Sequence, residues 1–169
     1  MSVHAHRRDA PRSVPTAVVT VSDTRTPETD TGGDLVASLL SEAGHPVTHR
    51  EIVPDEVEAI ADAVRRATDR QDTRAVIVTG GTGIAPRDVS PEAVEPLLTR
   101  VIPGFGELFR ILSHEEIGSA ALLSRALAGL RQGRVVAVIP GSRGAVRLAL
   151  EKLLLPELGH LVAEAGKTR

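Results

Sequence analysis

Between Thr79 and Val94 the chain reads TGGTGIAPRDVSPEAV. Gly80, Gly81, Thr82 and Gly83 follow the apolar run Ala75-Val76-Ile77-Val78. Backbone N–H groups with no side chains in the way make a cradle for a phosphate or another anion. Asp88, five residues beyond Gly83, adds a carboxylate able to hold a metal ion beside that anion. The loop is not a Walker A loop, because no lysine follows Gly83, and it lacks the GxGxxG dinucleotide spacing. A nucleotide held by backbone N–H groups and Mg²⁺ remains compatible with it.

Asp55 is the second candidate metal ligand. It lies just beyond one predicted strand and Asp88 beyond the next. Were those strands neighbours, about 4.8 Å apart, both carboxylates could reach one ion. An N-cap role for Asp55 explains it equally well. Two further loops carry small polar residues, Ser22-Asp23-Thr24 and Pro140-Gly141-Ser142. Ligands of open α/β sheets bind outside the carboxyl ends of the strands. Turns and caps alone also account for either outer loop. The three glycines of the central loop exceed what a turn needs. Gly104-Phe105-Gly106-Glu107-Leu108-Phe109-Arg110 holds both aromatic residues, one helical turn apart. Such a pair usually packs in a core, and Glu107 and Arg110 can pair at the surface. The functional alternative has Glu107 reading a polar ring edge beside the glycine loop. The six histidines show no HExxH spacing, and no Ser–His–Asp pattern emerges.

The elements that must carry these residues alternate. Ala17–Ser22, Pro46–Val53 and Ala75–Thr79 read as strands. Asp34–Ala43 has helical spacing, and a helix opening at Pro54-Asp55 puts Val57, Ile60, Ala61 and Val64 on its inner face. This βαβαβ order predicts an α/β protein of three αβα layers with a mostly parallel sheet. Pro91–Leu98 and Phe105–Ile117 read as helices. Ser124–Leu130 and Arg134–Ile139 read as an antiparallel strand pair around a tight turn. Ala145–Leu155 reads as a helix broken by Pro156, and Pro156–Ala165 as a last amphipathic stretch. Residues 1–13 are expected to be a flexible tail and residues 14–169 a single domain.

Composition narrows the chemistry. With 169 residues, 41 % hydrophobic and 25 % charged, the chain suits a soluble globular domain. A net charge of -2 and 1 % aromatic residues argue against a nucleic-acid partner held by charge or base stacking. No apolar run approaches the roughly 18 residues of a membrane span, and no secretory signal is expected. The absence of cysteine excludes thiol nucleophiles and Cys-based metal sites, and is compatible with the cytoplasm.

In one order the chain carries TVSDTR, VPDE, TGGTGIAPRDVSPEAV, PGFGELFR and IPGS. This set resembles the MoaB/MogA family of molybdenum-cofactor biosynthesis proteins, to which the G domain of gephyrin is related. The resemblance covers roughly Pro15 to Ala163, and SHEEIGSAALLSRA is most similar to the MoaB branch. It implies an α/β fold, a homotrimer or homohexamer, a cytoplasmic location, and other cofactor-biosynthesis proteins as partners. It implies adenylylation of molybdopterin by MgATP with release of pyrophosphate. A non-catalytic protein that binds or channels the pterin is the alternative, and a scaffolding role the third. By the same resemblance Gly80, Gly81, Thr82 and Gly83 would line the nucleotide phosphates, and Asp55 and Asp88 would be catalytic and hold Mg²⁺. Ser22, Asp23, Glu107, Gly141 and Ser142 would face nucleotide or pterin. Some relatives hold substrate phosphates with lysines. Lys152 and Lys167 lie in no pocket motif, so Arg25, Arg87, Arg125 or Arg143 would have to substitute.

Overall fold

The structure is a computed structural model, and it describes residues 10–167. Three parallel strand pairings build the centre of one six-stranded sheet. The strands are β1 (Thr16–Val21), β2 (Val47–Val53), β3 (Ala75–Thr79), β4 (Arg100–Val101), β5 (Leu127–Arg131) and β6 (Arg134–Ile139), in the order β2-β1-β3-β6-β5-β4. β1 pairs parallel with β2 and β3, and β3 with β6; β4, β5 and β6 pair antiparallel. β3 is apolar along its length because both its faces are covered. Ala75 and Ile77 join one core with Val36, Leu40, Phe109 and Leu150; Val76 and Val78 join the other with Ile60, Val64 and Val94. The expected three-layer α/β architecture is what the chain adopts.

The helices are α1 (Thr31–Glu42), α2 (Val57–Asp69), α3 (Ser90–Val94), α4 (Pro103–Ile117), α5 (Arg143–Arg147) and α6 (Leu155–Ala165). α1 starts three residues before the expected Asp34. Asp30 caps it, accepting the Gly33 N–H at 2.9 Å, so the cap lies outside the apolar pattern that marks the helix body. Val57 was expected inside but is 40 % exposed, because it stands at the first position of α2, before the helix settles onto the sheet. Pro156 does not break the last helix. Leu148–Leu154 forms a wide π-type stretch that runs directly into α6, with Pro156 in the first turn, where a proline's missing N–H costs least.

β5 begins at Leu127 rather than Ser124, since Gly118–Leu123 forms 3₁₀ turns and Ser124–Ala126 is irregular. The β5–β6 turn falls as expected, on Gln132 (φ 50°) and Gly133 (φ 72°). β4, two residues long, has no periodicity to reveal it. Of the expected tail, residues 1–9 lie outside the described residues. Pro11 lies against α6, where a Cβ on Gly159 would come within 2.2 Å of its carbonyl oxygen.

Candidate functional site

The strand order puts β1, β3 and β6 side by side, so the three polar loops leave adjacent carboxyl ends of the sheet. Their backbones then touch. The Gly80 N–H donates to the Ile139 carbonyl at 2.9 Å. A Cβ on Gly80 would lie 2.4 Å from the Val21 carbonyl oxygen, one on Gly141 3.4 Å from the Gly80 Cα, and one on Gly32 3.0 Å from the Gly141 oxygen. Gly80 (φ 106°) and Gly81 (φ 67°) hold backbone angles that side chains disfavour. The central loop thus lies flat across the ends of its neighbours, and Gly32, from the start of α1, completes the floor.

Asp55 and Asp88 do not follow neighbouring strands. β1 runs between β2 and β3, so the expected 4.8 Å spacing is not what brings these residues close. The loops lean together instead. A Cβ on Gly81 would lie 3.4 Å from the Asp55 carboxylate, and one on Gly83 2.6 Å from that of Asp88. Asp55 does not cap α2; that position belongs to Glu56. Partial burial pushes the Asp55 carboxyl above the usual carboxylate range, and the charges of Asp23 and Asp88 push the same way. Asp88 accepts the Ala85 N–H at 3.0 Å.

Asp23 joins this group. It accepts the Asp55 N–H at 3.0 Å and a bidentate pair from Arg87 at 2.7–3.0 Å. The Arg87 bonds, then that N–H, hold its carboxyl below its ordinary value. Asp23, Asp55 and Arg87 therefore form one polar cluster beside the glycine loop, and Asp88 is near enough for its charge to act on Asp55. Among the described residues no group of three or more His, Cys, Asp or Glu side chains is placed to hold a metal ion by itself. Ser22 Oγ accepts N–H groups of Thr24 and Arg25, and Ser142 Oγ accepts the Ala145 N–H at 3.3 Å, so both hydroxyls also shape their own loops.

Two hollows flank the glycine floor. One, about 200 Å³, is lined by Ser22, Arg25, Asp30, Gly32, Gly80 and Gly141. The other, about 320 Å³, is lined by Thr82, Gly83, Asp88, Phe109, Leu123 and Ser142. A larger concavity of about 690 Å³ adjoins the first loop on its outer side, against β2. It shares Ser22, Arg25 and Asp30 with the first hollow but has none of the glycines; Asp23 lines this concavity and neither glycine-lined hollow, and Asp55 lines none of the three. Glu107 lines neither hollow. It is exposed on α4 near Leu108 and Ile111, while Phe105 and Phe109 stack in the core at 6.3 Å between ring centres.

Ser90 and Asp30, which sequence patterns did not single out, and Arg125, expected only as one of four arginines for a substrate phosphate, finish the site. Ser90 Oγ donates to the Gly80 carbonyl at 2.7 Å, and the Ser90 N–H to the Gly81 carbonyl. Its place before Pro91 was the available signal. Asp30, 2 % exposed, accepts the Thr20 hydroxyl at 2.7 Å and ties α1 to the end of β1. Arg125 donates to the carbonyls of Gly83 and Asp88 and pairs with Glu92. Nothing in its local sequence points to the loop.

The sequence profile of the family described as "Probable molybdopterin binding domain" matches residues 17–160. The chain belongs to this family. It is 54 % identical over 165 residues to molybdenum cofactor biosynthesis protein B of Bacillus anthracis, covering 97 % of this chain and 98 % of that one. Among solved structures, a molybdenum cofactor biosynthesis protein B superposes with a TM-score of 0.91 at 53 % identity, over 95 % of this chain and all of the other. The tungsten cofactor synthesizing protein MoaB from Pyrococcus furiosus superposes at 0.83 with 36 % identity, over 94 % of this chain and 100 % of that one. The resemblance carried by the glycine loop and the GFGELFR segment therefore extends over nearly the whole family domain.

Proposed function

We propose that this protein works in molybdenum-cofactor biosynthesis and adenylylates molybdopterin with MgATP, releasing pyrophosphate. The observation that carries the reading is the convergence of three loops on one glycine floor, with Asp55 and Asp88 at its border. A terminal phosphate oxygen of molybdopterin attacks the α-phosphorus of ATP. The new P–O bond forms as the bond to the bridging oxygen breaks, and pyrophosphate leaves with that electron pair. No protein nucleophile is required, which agrees with a site of glycines, hydroxyls and carboxylates. Alignment and charge neutralisation do the work.

Gly81, Thr82 and Gly83 hold the nucleotide phosphates through their backbone N–H groups, while Gly80, whose N–H is committed to the Ile139 carbonyl, lines the phosphates as part of the floor. Asp55 and Asp88 fit Mg²⁺, a hard cation that takes one or two carboxylates and completes its shell with phosphate oxygens and water. That ion would neutralise the phosphates and the leaving pyrophosphate. Ser22, Gly141 and Ser142 line the remaining walls, and Asp23 stands outside them, paired with Arg87. Arg143 is the cation most available to a substrate phosphate. It is exposed beside Ser142, with no hydrogen-bond or ion-pair partner among the described residues. Exposed Leu108, Ile111, Ile117 and Leu122 around α4 support a subunit interface in a homotrimer or homohexamer. Glu107 would then act at or near that interface. Among the described residues no helix is long and apolar enough to cross a membrane, and we place the protein in the cytoplasm with other cofactor-biosynthesis proteins.

The test is pyrophosphate release by purified protein with molybdopterin and MgATP. Release only when all three are present is expected. Asp88→Asn should lower the rate by about a hundredfold or more with the fold intact, the scale of losing a metal's charge stabilisation. Equal activity in Asp88→Asn would remove the metal role. Calorimetry showing pterin binding without ATP binding would replace catalysis by a binding or channelling function.

A further inference from the structure

Arg125, from outside the glycine loop, touches it by its carbonyls. Its Nε donates to the Gly83 carbonyl at 2.9 Å and its Nη2 to the Asp88 carbonyl at 2.7 Å. Its Nη1 pairs with the Glu92 carboxylate in the first turn of α3. Its own N–H donates to the Thr82 carbonyl at 3.1 Å. One planar guanidinium therefore bridges the two ends of the segment Gly83–Asp88 and the helix that follows. Within that segment the cross-links are local ones between Ala85 and Asp88. Ile84, at its crest, is 67 % exposed, so core packing does not order it.

We propose that Arg125 is the positioning residue of the glycine loop: it fixes the Gly83–Asp88 segment in the shape that presents the Gly83 N–H and the Asp88 carboxylate to the ligand, and it does not bind substrate phosphate. The inference rests on the reading of Asp88 as a ligand-facing group. Three of the guanidinium's five N–H donors are committed to fixed acceptors on the protein. A carbonyl pair at this separation is matched by a rigid fork and not by an ammonium, which reaches one acceptor as a point charge. Charge-assisted bonds of this kind are stronger than neutral ones; the Arg87–Asp23 pair ties the same segment to the first loop, but only Arg125 holds both of its ends.

The experiment compares wild type, Arg125→Lys and Arg125→Ala at equal thermal stability, using three readouts. Amide hydrogen exchange of the ligand-free protein is expected to speed up by about tenfold or more over 83–88 in both variants, with the central strands unchanged. Millimolar guanidinium, and not an equal concentration of sodium, should slow it again in Arg125→Ala by refilling the vacated fork. MgATP, titrated by calorimetry, should bind Arg125→Ala about tenfold more weakly, with guanidinium restoring part of the loss.

Unchanged exchange in Arg125→Ala overturns the proposal, and so does faster exchange that guanidinium leaves untouched, which marks a merely structural role. If Arg125→Ala fails to fold, Arg125→Lys decides. If neither variant shows a cooperative transition, Arg125 is a determinant of the fold and the proposal is wrong. If wild type does not bind MgATP, the adenylylation reading fails while the exchange experiment still judges the clamp.

Discussion

Replacing Gly80 by alanine tests whether the floor of the site depends on close backbone contact. Two costs act at this position. Gly80 has φ 106°, a conformation that side chains rarely adopt, and a Cβ there would lie 2.4 Å from the Val21 carbonyl oxygen. Gly44 separates the two. It closes α1 at φ 83° with no atom within 4 Å of a built Cβ. Gly44→Ala therefore bears only the conformational cost, about 1–2 kcal/mol. Gly80→Ala adds an overlap against strand backbone that cannot swing aside, and overpacking of this kind costs about 1–3 kcal/mol more. In a chain of this size about 1 kcal/mol lowers Tm by roughly 2–4 °C. Gly44→Ala should thus melt about 2–8 °C below wild type and Gly80→Ala a further 2–12 °C below that. Calorimetric melting of both variants, with chemical denaturation as a check, measures the difference. Equal midpoints for the two would refute the claim that loop and β1 touch backbone to backbone, and with it the shape of the floor.

The remaining predictions are smaller. Ser90→Ala deprives the Gly80 carbonyl of its hydroxyl donor and should cost about 1–3 kcal/mol, read by urea unfolding. His45 is buried and accepts the Val14 N–H on Nδ1 at 3.0 Å, and burial holds its pKa below the ordinary value. A depressed histidine stabilises the fold above the unfolded pKa, about 6.5, and that contribution is lost as pH falls through the folded pKa. His45→Gln should flatten the stability profile in that acidic window, and an unchanged slope would exclude His45 as its source. Asp88→Asn and the Arg125 series test the chemistry and the clamp.

Much of the fold was legible because β3 and β6 are apolar runs and the helices between strands carry periodic faces. What misled were effects with no local pattern. Asp55 and Asp88 both border the glycine loop although β1 separates their strands, because the Gly80–Gly81 turn carries the loop over the end of β1. Sequence spacing describes strands in chain order and not in sheet order. Pro156 looked like a stop, yet the π-type stretch before it lets the helix continue. Asp30 and Ser90 were missed for a related reason. Each sits at a helix start, where sequence suggests only a cap, while the tertiary fold also sets each against a strand end or the glycine loop.

The arginines show why residue type alone could not assign the site. Arg25, Arg87, Arg125 and Arg143 were equivalent candidates for a substrate phosphate. Arg25 donates to the Thr29 carbonyl, Arg87 neutralises Asp23, and Arg125 clamps carbonyls; Arg143 alone of the four has no partner among the described residues. Their tolerance of lysine should differ accordingly. A phosphate accepts an ammonium as readily as a guanidinium when a single charge is what matters, so lysine can serve at Arg143. Two carbonyls and a carboxylate held by one fork cannot be met by a single ammonium, so lysine cannot serve at Arg125. The near absence of lysine is then a constraint at the clamp and a neutral feature at the phosphate end.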